Sequence, residues 1–155
     1  MPDGMKVENE VFTVFSNLAK TIGYSPLHGK IIATLIVKKN PLTLQEVAKR
    51  TGYSTGMISL SLDLLEVLGV IKKIKKTGDR KLYVQLEGDL LEILKKAVIV
   101  KVKNGIAGAL EEISEKKAEA RKEKSPRSLE LLGTLEKEVR RLEKYVDMLS
   151  GIRLP

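Results

Sequence analysis

Residues 41–60 read PLTLQEVAKRTGYSTGMISL, and the fold of the chain turns on this stretch. Thr43 and Glu46, three apart, form a capping box in which hydroxyl and carboxylate each take a free backbone donor at a helix start. The helix runs to Thr51. Gly52 ends it in left-handed backbone that a residue without Cβ adopts cheaply. Ser54 caps a second helix, with Ile58, Leu62 and Leu65 on one face, and Gly69 stops it. Two β-rich runs follow, 70–76 and 81–87, joined by the turn residues Thr77, Gly78, Asp79 and Arg80. Two short helices around a tight turn, then a basic hairpin, make a winged helix-turn-helix. Such a unit most often binds duplex DNA.

Working outward, residues 1–7 read as a frayed end. An amphipathic helix over 8–21 carries Val11, Phe12, Phe15 and Leu18 on its apolar stripe. Gly23 closes it. Ser25 and Pro26 open a helix over 27–38, since proline at the first helical position loses no hydrogen bond. Asn40-Pro41 breaks that helix. Beyond the wing the pattern becomes long-helical from Leu90 to Ile113. The β-branched run 97–102 alone fits a strand with 103–105 as a turn, but apolar spacing of three and four resumes on both sides and favours helix. Residues 114–124 have no apolar face and read as an exposed helix end or a linker. Ser125 and Pro126 open a last helix to about Ser150. The expected fold is mainly α with a small β-wing: a DNA-binding domain at 8–88 and a helical dimerisation region at 89–155, with helix 8–21 contributing.

The last helix carries a second pattern. Leu132, Leu135, Val139, Leu142, Val146 and Leu149 follow at alternating intervals of three and four. That is a heptad seam, with Leu132, Val139 and Val146 at one set of positions and Leu135, Leu142 and Leu149 at the other. It packs either on the preceding long helix or on a second chain, and dimerisation is the use such an extension would have.

Composition removes several classes of function. The 155 residues contain no cysteine and one histidine, His28, so thiolate chemistry is excluded and a zinc site would need carboxylates for nearly every ligand. No catalytic set, phosphate loop or carboxylate cluster stands out, so no enzyme activity, metal or cofactor is expected. No apolar run approaches the roughly 20 residues of a membrane span, and no signal peptide core is present, which predicts a cytoplasmic protein. The net charge of +8 favours a polyanionic partner. Lys72, Lys73, Lys75, Lys76, Arg80 and Lys81 lie close together, opposed locally only by Asp79, and their place on the wing predicts phosphate contacts. Lys49 and Arg50 add to them. The groove-facing candidates of the second helix are Ser54, Thr55, Gly56, Met57 and Ser59. Tyr24, Tyr53 and Tyr83 would be needed together for an aromatic effector cage, although local packing explains each. Asp79 either orients Arg80 or shapes the turn.

The segments at 23–31, 40–48, 54–62, 65–70 and 78–81 resemble the MarR superfamily, and within it the GbsR-type branch. Gly23-Tyr-Ser-Pro26 and the Gly78-Asp-Arg-Lys81 wing tip are the more specific parts. The resemblance implies a homodimeric transcriptional regulator, commonly a repressor, and leaves any effector unspecified. It also implies a lysine at position 55 and an arginine near position 63, where this chain has Thr55 and Asp63. Without a basic residue on the second helix, arginine or lysine contacts to guanine are lost. Two other readings follow: an architectural DNA binder of low sequence specificity, and a winged helix used as a protein–protein module.

Overall fold

The computed structural model describes residues 3–39 and 41–155. Along them run α1 (Asp3–Ile22), α2 (Pro26–Val37), β1 (Leu42–Thr43), α3 (Leu44–Thr51), α4 (Thr55–Val67), β2 (Ile71–Lys75), β3 (Leu82–Leu86), α5 (Leu90–Lys122) and α6 (Pro126–Ser150). The fold is mainly α with a small antiparallel sheet, as the sequence predicts. Helix α1 starts at Asp3, ahead of the expected Glu8. Met1 and Pro2 of the expected frayed end, and Asn40 of the expected break, lie outside the described residues.

The sheet has three strands in the order β1-β3-β2, one more than the hairpin alone. Leu42 and Thr43 pair with Val84 and Tyr83, so the residues that introduce α3 also extend the wing. Across the hairpin, Ile71 faces Leu86 and Lys73 faces Val84. This register puts Ile71 and Val84 into the core.

The chain forms two compact units, one running to Ala97 and the other starting at Val98. The core of the first is built from Ile31, Val47, Ile58, Leu62, Val84 and Ile93, all fully buried. Helices α1 and α2 approach closely at Gly29, where a Cβ would stand 2.1 Å from the Phe15 carbonyl oxygen. The first turns of α5 belong to this unit. Ile93 sits in its core, and the Tyr24 hydroxyl donates to the Ala97 carbonyl at 2.7 Å. Helix α5 starts on a reciprocal cap: Glu92 N–H donates to the Asp89 carboxylate at 2.9 Å and Asp89 N–H to the Glu92 carboxylate at 3.2 Å.

In the second unit α5 and α6 run antiparallel. Lys103 pairs with Asp147 at 3.2 Å, and Lys117 pairs with Glu136 further along. Ile106, Ile113 and Ala120 of α5, seven residues apart, are buried together with Val146 of α6. The β-branched run 97–102 is helical, and 114–122 continue the helix without a break.

Candidate nucleic-acid interface

The helix-turn-helix is set by local chemistry. The Thr43 hydroxyl accepts from Glu46 N–H at 3.2 Å, and the Glu46 carboxylate accepts from Thr43 N–H at 2.7 Å. The Thr43 backbone bond, with smaller help from the hydroxyl and from Lys81 and Arg50, holds the Glu46 carboxyl below its usual pKa. Gly52 closes α3 with φ of 77°. Ser54 then caps α4 by accepting from Met57 N–H at 3.3 Å. Helix α4 buries Ile58, Ser61, Leu62 and Leu65. Its other side leaves Ser54, Thr55, Gly56, Met57 and Ser59 exposed, and Lys49 and Arg50 are exposed on the last turn of α3.

The wing turn is organised by Asp79. Its carboxylate accepts from Lys81 N–H at 2.9 Å and from the Tyr83 hydroxyl at 2.8 Å. Those two bonds, in that order, lower the Asp79 pKa, and the same bond raises that of Tyr83. Asp79 therefore shapes the turn. The Lys76 ammonium stands 4.2 Å from the Tyr83 ring centre, a cation–π contact that fixes the other end of the loop. Lys72, Lys75, Lys76, Arg80 and Lys81 are exposed.

Lys73 has a different setting. Its ammonium is hydrogen-bonded to Asp63 and lies 3.6 Å from Glu66. The Asp63 bond is the main cause of its raised pKa. A local count of wing charges cannot show this pairing, because the acids come from the preceding helix. The available signal is that Asp63 and Glu66 lie three apart, on one side of α4.

The three tyrosines have separate partners. Tyr24 meets His28 edge-on with ring centres 5.9 Å apart, Tyr53 lies under Lys30 at 5.2 Å, and Tyr83 serves the wing. Among the described residues there is no cluster able to hold a metal ion, and no helix is long and apolar enough to cross a membrane.

The heptad seam of α6 is divided between two surfaces. Val146 is 4% exposed and Leu132, Val139 and Leu149 are partly buried, whereas Leu135 and Leu142 are 51% and 46% exposed. Leu131, Tyr145 and Met148 extend the outer surface.

No family model matches the chain, and no curated protein does. Among solved structures, the chain is similar to one described as the crystal structure of a transcriptional regulator. That match has a TM-score of 0.68 and 18% identity over 97% of each chain. NadR in complex with 4-hydroxyphenylacetate gives a TM-score of 0.45 at 17% identity over 96% of this chain and 90% of that one. BldR from Sulfolobus solfataricus gives 0.44 at 21% identity over 88% and 89%. The first of these likenesses shows a shared fold.

Proposed function

We propose that the chain is a DNA-binding transcriptional regulator of the MarR superfamily, of the GbsR type, acting as a homodimer and repressing by occlusion of the DNA it covers. One observation carries this reading: the exposed, N-capped end of α4 is flanked by a wing with five exposed cations and by Lys49 and Arg50. A helix N-terminus and a cationic hairpin together suit a groove lined by phosphates. The superfamily assignment draws on the Gly23–Pro26 and Gly78–Lys81 segments together with the shared fold. Residues 8–88 would bind DNA and residues 89–155 would pair the chains, with α1 contributing.

In this arrangement Ser54, Thr55, Gly56, Met57 and Ser59 face the major groove. Lys49, Arg50, Lys72, Lys75, Lys76, Arg80 and Lys81 meet the backbone, while Lys73 offsets one of the two negative charges of Asp63 and Glu66 and so weakens the repulsion between α4 and the phosphates. The outer part of the α6 seam, Leu135 and Leu142, holds the second copy. A dimer of this kind neutralises about 6–10 phosphates, so log affinity for duplex DNA should fall against log salt with a slope of about −5 to −9. Titration of a labelled duplex between low and physiological salt tests this, and a flat response would overturn it.

A winged helix that binds protein instead of DNA is the second reading. It is favoured by the exposed apolar side chains Leu60 and Val67 on α4.

A further inference from the structure

One strip of the outer face of α4 is apolar, beside the exposed Ser59, Asp63 and Glu66. Leu60 and Val67 are 74% and 85% exposed, Met57 and Leu64 are exposed beside them, and Ile58, Leu62 and Leu65 fill the core side. A row of four such side chains on one helix differs from the scattered exposed leucines of ordinary surfaces and marks a binding face. Gly56 belongs to the same face. Nothing lies within 4 Å of the position its Cβ would take, so packing does not require glycine there. The bare backbone permits close approach of a partner.

Charge points to the occupant. The exposed cations Lys49, Arg50, Lys72, Lys75 and Lys76 come from the elements and turn that flank α4 and outnumber its own acids Asp63 and Glu66, which share the one ammonium of Lys73. A polyanion fits that setting. Yet α4 has no Arg, Lys, Asn, Gln or His from Thr55 to Val67, so bidentate contacts to guanine or adenine are not available to it. On the floor of the major groove the apolar group that thymine presents is its C5 methyl. The N-terminal residues of a recognition helix are the ones that reach base edges.

Resting on the DNA-binding reading above, we infer that Met57 and Leu60 read thymine methyl groups, so that α4 selects thymine-rich duplex by apolar contact. The Thr55 and Ser59 hydroxyls add contacts that tolerate several bases. Leu64 and Val67 lie one and two turns further along and widen the apolar strip where the helix leaves the groove.

Removing the methyl alone tests the inference. A mixed-sequence A·T duplex of about 30 base pairs, long enough for two half-sites a helical turn apart, is compared with the same duplex carrying uracil at every thymine. A G·C duplex is compared with its 5-methylcytosine form, which places a methyl at the equivalent ring position. Binding should weaken by about 4-fold for each contacted methyl removed, and methylation of cytosine should tighten binding to the G·C duplex. Leu60→Ala and Met57→Ala, both at exposed positions, should each reduce the preference for thymine over uracil, and the double variant should bind the two duplexes alike while keeping the salt dependence and the helical circular dichroism of the parent.

Equal affinity of the parent for thymine and uracil duplexes overturns the inference and leaves DNA binding in place. A thymine preference that persists undiminished in the double variant also overturns it, because groove shape would then be the cause. Failure to bind any of these duplexes at low salt removes the DNA-binding reading itself and leaves the α4 face to a protein partner.

Discussion

The Tyr83 hydroxyl donates to the Asp79 carboxylate across the wing turn at 2.8 Å, while the Lys76 ammonium rests 4.2 Å from the centre of the Tyr83 ring. One side chain on β3 thus holds both sides of the loop. A flexible cationic hairpin would lose conformational entropy on meeting a phosphate backbone, and ordering it beforehand lowers that cost. The loop tip carries Arg80 between two residues whose geometry Asp79 and Tyr83 determine.

Tyr83→Phe keeps the ring under Lys76 and removes the hydroxyl. The expected result is faster amide hydrogen exchange at Asp79 and Lys81 and a loss of a few-fold in DNA affinity, with the thermal midpoint of the first unit almost unchanged. Unaltered exchange at Lys81 would show that the turn holds without this bond.

Acid should destabilise the protein through Glu46 and Asp79. Both have folded pKa values below the ordinary 4.5 and 3.8, Glu46 chiefly through the Thr43 backbone N–H and Asp79 chiefly through that of Lys81. A depressed pKa contributes stability that is present above the unfolded value and is lost as pH falls through the folded one. Melting temperature should therefore decline below about pH 4.5. Glu46→Gln keeps a capping-box partner that does not titrate, so its decline should be shallower than the parent's. Lys73 acts at the other end of the scale. Its pKa is raised, chiefly by Asp63, so its contribution is complete below 10.5 and is lost as pH rises through the higher folded value.

Two glycines should respond in opposite directions to alanine. At Gly29 the new Cβ would meet the Phe15 carbonyl oxygen at 2.1 Å, and that oxygen is backbone. Helices α1 and α2 must then separate, at a cost of about 1–3 kcal/mol or more. At Gly56 there is open space, and alanine should stabilise α4 by up to about 1 kcal/mol. The same methyl would stand between helix and DNA, so Gly56→Ala should melt higher and bind duplex less tightly. Denaturant midpoints and a binding titration on the two variants check both halves, and tighter binding by Gly56→Ala would contradict the close approach assigned to that end of α4.

The helix-turn-helix and wing were legible because their determinants are local. A capping box, a left-handed glycine, a serine cap and a turn each act within about four residues. Strand β1 was not, since Leu42 and Thr43 become a strand only through pairing with Val84 and Tyr83. The pairing of Lys73 with Asp63 crosses from strand to helix and escapes any local charge count. Periodicity located the seam of α6, but a heptad pattern identifies an apolar stripe without naming the helix that covers it. Here Val146 is buried within the chain, and Leu135 and Leu142 remain open.

That division predicts how the proposed dimer can be taken apart. Leu135→Lys with Leu142→Lys places two charges on the open part of the seam, where they remain solvated in an isolated chain. Burial against a second copy would leave them unpaired in an apolar contact, which costs several kcal/mol. The double variant should sediment as a monomer with unchanged helical circular dichroism. Its affinity for a duplex with two half-sites should fall towards that for a single half-site, because the second binding event is no longer linked to the first. Val146→Lys provides the contrast. Its side chain is 4% exposed between α6 and α5, so it should lose helix content instead of merely dissociating. If the double variant sediments as a dimer, the second copy is held elsewhere, and the exposed Met5, Val7 and Val14 of α1 become the next surface to charge.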